Sequence, residues 1–386
     1  MYKFIQIQRF ANQLFEDDKT ASKASRIMLG ILKAKSPRIS RIAEEMAGSY
    51  EANYKMIQRF LKSADVKTAL QRCFDAEAEF VIGDPTEIER AGARKTDYVG
   101  RLHDGRQRGF WMLALGTPMR SCALPCNFVV YSSSTLGSDN TSRNLEHRRV
   151  IDEIAATIGD RPLVLDREFS YQTLFEHLLD SQMRFVIRLN QGSKPPKFYY
   201  DEHKSKELTL LVSPDSEPKI YRNIYYKGEV AVNVIGIWKK GKRKPLWVIT
   251  NMPPERALKI YLQRMKIEKT FRELKSILQL DTIMNKSRFY LEQMIALMLL
   301  TFTITVLVGE AIRDVRYAGI SPDQIDLKTL PKLAKKSRWH SFSGTFVLLR
   351  QRRRLSHAIL RKIISKVFAV FCSLVFGNNV RSFVPT

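Results

Sequence analysis

Two short apolar runs, Phe80-Val81-Ile82-Gly83 and Leu163-Val164-Leu165, each give way to an aspartate, Asp84 and Asp166. Runs this short and uniformly apolar read as buried strands. Helical patterns stand between and around them, so the chain is expected to be α/β, a sheet flanked by helices. In such sheets ligands are met outside the carboxyl ends of the strands. An acid at that position is therefore a candidate site residue. Aspartate is also a common turn former, so the pair gains weight only with a third feature.

The elements follow in order. Residues 1–75 are helical by pattern, with helices over 21–32, 39–46 and 50–62 and a turn at Gly48-Ser49. Helix, glycine turn and helix is helix-turn-helix spacing. The third helix would offer Tyr50, Asn53, Lys55, Gln58, Arg59 and Lys62 to phosphates and base edges; any small helical bundle can show the same spacing. Pro85 is expected to stop the first strand. Strands over 110–115 and 126–132 form a meander turning at Gly116, Pro118 and Arg120, and a helix covers 141–158. After Asp166 come a helix over 171–180 and a strand over 184–189. Residues 191–250 then alternate with period two, predicting strands over 208–212, 219–226, 229–238 and 246–250, a β-rich insertion. Trp247 opens the last of them, where core packing is the default for a tryptophan.

The third feature is the stretch Tyr261 to Lys275, Y-L-Q-R-M-K-I-E-K-T-F-R-E-L-K, with Pro253-Pro254 just ahead. It lacks Gly and Pro and reads as one helix. At about 100° per residue, Tyr261, Arg264, Glu268 and Lys275 share a stripe roughly 60° wide. That stripe borders the apolar face formed by Ile260, Ile267, Phe271, Leu274 and Leu278. A solvated face with an Arg264–Glu268 pair gives the same pattern. Together with Asp84 and Asp166, however, the stripe supplies a third carboxylate, Glu268, flanked by cations. Three clustered carboxylates repel one another unless cations sit among them. Two oxygen-bound divalent ions would serve, and would clamp the attacking and leaving oxygens of a phosphodiester.

Charge points to the same partner. The 386 residues carry 64 Lys and Arg against 39 Asp and Glu, a net +25. An excess of that size suits a polyanion, nucleic acid first, and argues against an enzyme of small metabolites or a two-carboxylate carbohydrate hydrolase. The stretch 327–386 holds 13 Lys and Arg and no Asp or Glu, with Arg350, Arg352, Arg353 and Arg354 clustered. Its apolar positions Ile359, Ile363, Val367 and Phe371 recur at helical spacing, so it is expected to fold. Four scattered cysteines make no metal pattern and read as core thiols of a reducing compartment. The most apolar run, 294–308, is short for a membrane span and reads as a buried helix. No signal-peptide pattern opens the chain.

Tyr261, Arg264, Glu268 and Lys275 reproduce the signature Y-(2)-R-(3)-E-(6)-K. With Asp84 after its strand and Asp166 in L-V-L-D-R-E-F, the chain resembles the DDE transposases of bacterial insertion sequences, the insertion sequence 4 group. That group often has glycine where Glu168 stands. The likeness covers about residues 80–310. It implies an RNase H-like core in two parts, 76–190 and 251–326, interrupted by the β-rich insertion 191–250. A helical DNA-binding domain (1–75) and a basic helical domain (327–386) would stand at the ends. It implies Asp84, Asp166 and Glu268 as catalytic ligands of two Mg²⁺ ions, with Mn²⁺ a substitute. Tyr261, Arg264 and Lys275 would hold a DNA phosphate, with Arg167 a further DNA contact, and Trp247 would stack on a base flipped from a hairpin end. The implied reaction is strand cleavage at element ends, hairpin formation and transfer into target DNA, by a homodimer on paired double-stranded ends in the bacterial cytoplasm at the nucleoid, with no membrane partner. A nuclease without strand transfer and a non-catalytic helix-turn-helix protein are the alternatives.

Overall fold

A computed structural model describes residues 2–93, 96, 98–136, 141–192, 194–329, 344–350 and 355–376. Five helices open the chain: α1 (Tyr2–Leu14), α2 (Asp18–Ala34), α3 (Ile39–Glu44), α4 (Tyr50–Ser63) and α5 (Val66–Gln71). Asp17, Ser49 and Asp65 start α2, α4 and α5, each accepting a backbone N–H of the first turn. The turn between α3 and α4 bends at Gly48, whose φ of 102° disfavours a side chain. Asn53 does not face outward with the rest of α4. It is 2% exposed, and its amide donates to the carbonyls of Ala43, Met46 and Ala47 while accepting from Arg26. This corrects its expected base-edge role: the amide closes the end of α3. Tyr50, Lys55, Gln58, Arg59 and Lys62 are exposed.

β1 (Val81–Glu89) runs on through Asp84 and Pro85 instead of stopping there. Its parallel ladder with β5 (Leu163–Leu165) involves only Val81 and Ile82, so the missing N–H of Pro85 falls past that ladder, where a strand tolerates it. After β2 (Gly100–Arg101), the meander is the hairpin β3 (Arg108–Met119) and β4 (Cys122–Tyr131). Gly116 and Pro118 belong to β3, and the turn is Arg120-Ser121 alone, with Met119 opposite Cys122. Gly116 serves strand approach, since a Cβ there would meet the Leu124 carbonyl oxygen at 2.7 Å. The helix expected over 141–158 is two, α6 (Arg143–Asp152) and α7 (Ala155–Ile158).

Next come α8 (Gln172–Asp180), β6 (Phe185–Arg188), β7 (Phe198–Tyr199), β8 (Glu207–Leu208), β9 (Lys219–Tyr226), β10 (Val230–Ile237) and β11 (Leu246–Thr250). Of the strand expected over 208–212 only Leu208 is paired. The helix expected over 261–275 is also two, α9 (Pro254–Tyr261) and α10 (Met265–Ser276). They are followed by α11 (Arg288–Tyr317), α12 (Gly344–Arg350) and α13 (His357–Phe376). In α13, Ile363, Val367 and Phe371 are buried, whereas Ile359 is 38% exposed. Arg352, Arg353 and Arg354 lie outside the described residues.

The chain forms two compact units, residues 1–77, 85–143 and 268–386 in one, and 78–84 and 144–267 in the other. The first is built around α11, which packs against α2, α4, α5, α12, α13 and β4. By length and composition α11 could cross a membrane, but its apolar window is wholly buried in the protein. The second unit is a mixed sheet. The start of β1, β5 and β6 run parallel, and β11, β10, β9, β7 and β8 continue from β6 by antiparallel pairing. The β-rich block therefore extends the sheet through the β6–β11 ladder. The architecture is the expected α/β one, a mixed sheet flanked by helices with helical segments at both ends.

Candidate active site

Register alone brings the two aspartates level. Ile82 pairs with Val164 on parallel strands, so two residues further on, just past the paired stretch, Asp84 and Asp166 lie side by side. β6 adds a neighbour: Leu165 pairs with Ile187, which sets Arg188 beside Asp166. All of these residues belong to the second unit.

α9 packs on β6, β10 and β11 of that sheet and delivers two more side chains. The Tyr261 hydroxyl donates to Asp166 Oδ1 at 3.2 Å. The Arg264 guanidinium donates to Asp84 Oδ1 at 3.0 Å and lies 3.8 Å from Asp166 Oδ2, with its Cζ 6.0 Å from the Tyr261 ring centre. Arg188 Nη1 is 3.9 Å from Asp166 Oδ1. Two carboxylates thus share one buried cation with a second at the rim, which offsets the repulsion that bringing two anions together would cost. The Arg264 side chain is 8% exposed, that of Asp84 12% and that of Asp166 22%. Burial first, and the negative Asp166 second, push the Tyr261 pKa up to about 12. Tyr261 is therefore a hydrogen-bond donor throughout the neutral range.

The break between α9 and α10 makes this possible. Gln263 and Arg264 donate their N–H groups to Ile260 and Tyr261, three residues back. A tight turn of that kind advances each residue by about 120° instead of 100°. Arg264 is therefore carried about 60° further round than in a continuous helix, into line with Tyr261, and both reach the aspartate pair.

Glu268 and Lys275 belong to the first unit. Glu268 lies in the first turn of α10 and is partly exposed. Its helix is fixed by the β3–β4 hairpin: the Thr270 hydroxyl accepts from Ala123 N–H and donates to Ala123 O, at 3.0 and 2.7 Å, and Lys269 Nζ donates to Ser121 Oγ at 2.8 Å. The Lys275 amino group donates to the Glu87 carbonyl and stands 3.9 Å from Asp281.

Among the described residues no three His, Cys, Asp or Glu side chains gather as a metal-holding set; the structure assembles two of the three expected carboxylates, in one unit. Those two suit a hard divalent cation in donor chemistry, being carboxylate oxygens, and the Arg264 guanidinium is the cation now standing between them. Arg167 is exposed on the 3-10 turn after Asp166.

Trp247 corrects one expectation. Its indole is 2% exposed, laid over the backbone of the paired Gly236 and 6.0 Å from the Tyr221 ring. It is a packing residue, reaching only the wall of a cavity of about 350 Å³ shared with Leu210, Leu211 and Trp238. The residue that sequence reasoning missed is Arg188. A cation ending a strand reads as an ordinary edge charge, and only the β5–β6 register reveals its neighbour.

No curated protein matches the chain. Among solved structures it is similar to a cryo-EM structure of the piggyBac transposase synaptic complex with hairpin DNA. That match has 12% identity and a TM-score of 0.47 and covers 95% of this chain and 82% of that one. Residues 75–304, more than half of the chain and including Asp84, Asp166 and Glu268, match the model of the transposase DDE domain. The chain belongs to the transposase DDE-domain family.

Proposed function

We propose that this protein is the transposase of a bacterial insertion sequence of the insertion sequence 4 type, with an RNase H-like catalytic core in which Asp84, Asp166 and Glu268 are the catalytic carboxylates. The observation that carries the reading is the pair Asp84–Asp166, level on adjacent parallel strands just past their ladder and spanned by Arg264. Asp84 and Asp166, with Glu268 as the third ligand, would hold the divalent ions. Mg²⁺, or Mn²⁺ in its place, would supply Lewis-acid activation of water and of the strand's 3′-hydroxyl.

The chain's own groups do the rest. Arg264 gathers the two aspartates and is the proposed cation for an entering phosphate, with Arg188 next to Asp166 and Arg167 and Lys275 as further phosphate contacts. Tyr261 fixes the orientation of Asp166 by donating to Oδ1, while Oδ2 faces the Arg264 guanidinium. The exposed α4 face, Tyr50, Lys55, Gln58, Arg59 and Lys62, is the proposed duplex contact of the N-terminal helices. The net charge of +25 supports double-stranded DNA as partner. Cleavage at both element ends, a hairpin intermediate and a homodimer on paired ends complete the reading.

The test uses a duplex carrying the inverted repeats that flank the gene. Wild-type protein should nick it at the repeat boundary with Mg²⁺ and join the freed end to target DNA. Asp84→Asn and Glu268→Gln should each lower the nicking rate by about 10³-fold or more while still binding the duplex. Nicking retained in either variant removes that residue from the site. Nicking without joining leaves a nuclease.

A further inference from the structure

The β10–β11 hairpin of the second unit ends in Trp238-Lys239-Lys240-Gly241-Lys242-Arg243-Lys244-Pro245, five cations within six residues. Nothing in the strands demands this, because Ile237 and Leu246 are the last paired residues and a two-residue turn would have closed the hairpin. The longer tip is nevertheless ordered. Lys242 N–H donates to Lys239 O at 3.1 Å, and Gly241, at φ 76°, occupies the third turn position where a type II turn needs positive φ. Trp238 Nε1 donates to Lys242 O at 2.8 Å, and Asp215 N–H donates to Trp238 O at 2.8 Å. A half-buried indole thus clamps the turn from beneath while Lys239, Lys240, Lys242, Arg243 and Lys244 all stand exposed.

Among the described residues none of these five side chains is in an ion pair. Elsewhere in the same unit exposed lysines and arginines do find carboxylates, as Lys197 finds Glu207 and Arg222 finds Glu255. Holding five like charges on one short, pinned loop raises the local potential and costs free energy that a polyanion offsets. Alternating phosphates along a DNA strand are a counter-charge of that form, and lysine and arginine take them without reading sequence.

We propose that the 239–244 tip is a sequence-independent DNA-backbone clamp, a second contact region apart from the carboxylate site. It rests on the transposase reading for its partner, a DNA duplex. It does no chemistry; it adds affinity and screens with salt.

The experiment measures binding of the inverted-repeat duplex in EDTA, where no cleavage intervenes, across a salt series. In the variant with Lys239, Lys240, Lys242, Arg243 and Lys244 all replaced by Gln, loss of three to five phosphate contacts should flatten the slope of log K against log salt by about 3 to 4.5. The variant Lys239→Arg, Lys240→Arg, Lys242→Arg and Lys244→Arg should keep the wild-type slope, since charge is retained. On wild-type protein, bound duplex should shield those four lysines from an amine-reactive reagent, a readout independent of how the variants fold. An unchanged slope in the Gln variant, or equal labelling with and without duplex, overturns the clamp. Wild-type protein that fails to bind duplex at all overturns the transposase reading instead.

Discussion

Tyr261 shows what one side chain contributes to the site. Its hydroxyl is buried against Asp166, so ionising it would set a phenolate beside a carboxylate in a poorly solvated place, and the pKa rises from the usual 10 to about 12. A folded-state pKa above the unfolded value means the folded state holds its proton more tightly. The associated stability is complete below about pH 10 and is lost as pH climbs from about 10 to 12. Tyr261→Phe should remove that titration. Unfolding midpoints of the two proteins, measured across this range, should fall more steeply with pH in the wild type, and the native ultraviolet titration should lose one late tyrosinate. Equal slopes would separate Tyr261 from the Asp166 charge. Asp84 and Asp166 were legible because each follows a short apolar run, a pattern that needs no tertiary information. Arg188 was not, since its role arises from a strand pairing that no local pattern encodes.

At the scale of elements, the sequence predicts content better than boundaries. From residue 219 onward the strands of the β-rich block fall within a residue of their expected bounds, because each is paired along its length. Beyond Leu208 the run to Val212 carries the same apolar signal without strand pairing, and Leu210, Leu211 and Val212 line the cavity beside Trp238 and Trp247 instead. The division of α9 from α10 was illegible for a different reason. Every residue from Tyr261 to Glu268 tolerates helix, and the tightening at 262–264 has no breaker residue to announce it. The β10–β11 ladder offers a direct test of how closely these elements fit. Gly236 leaves room for the indole of its cross-strand partner, and a Cβ there would meet Trp247 ring atoms at 2.2 to 2.6 Å. Because that ring is buried on a strand, Gly236→Ala should destabilise the second unit by about 1–3 kcal/mol. The urea midpoint checks it; an unchanged midpoint would mean that the Trp247 ring shifts freely.

The molecule as a whole depends on a helix whose composition alone would suit a bilayer. α11 is apolar for most of its length, and near its end it carries Glu310, Arg313 and Asp314, all at most 1% exposed. Such charges are tolerated inside a protein only when each finds partners. Arg120 supplies them from the β3–β4 turn: Nη1 donates to Glu310 Oε2 at 3.2 Å and Asp314 Oδ1 at 2.8 Å, and Nη2 to Asp314 Oδ2 at 2.6 Å. Its Nε reaches Leu327 O and Nη2 reaches Thr329 O, while Glu310 Oε1 accepts the Gly344 N–H. One guanidinium therefore ties a hairpin, the central helix and the segment after it within the first unit. The same hairpin receives Thr270 and Lys269, so whatever holds Arg120 also holds the helix bearing Glu268. Arg120→Ala takes its guanidinium from two buried carboxylates, of which Glu310 keeps Arg313, and should cost about 3–5 kcal/mol of stability. Asp314→Ala should cost a comparable amount, and because each change already breaks the same pair, the double variant should lose clearly less than the sum. Urea unfolding of the four proteins measures this, and strict additivity would show that Arg120 and Asp314 act independently.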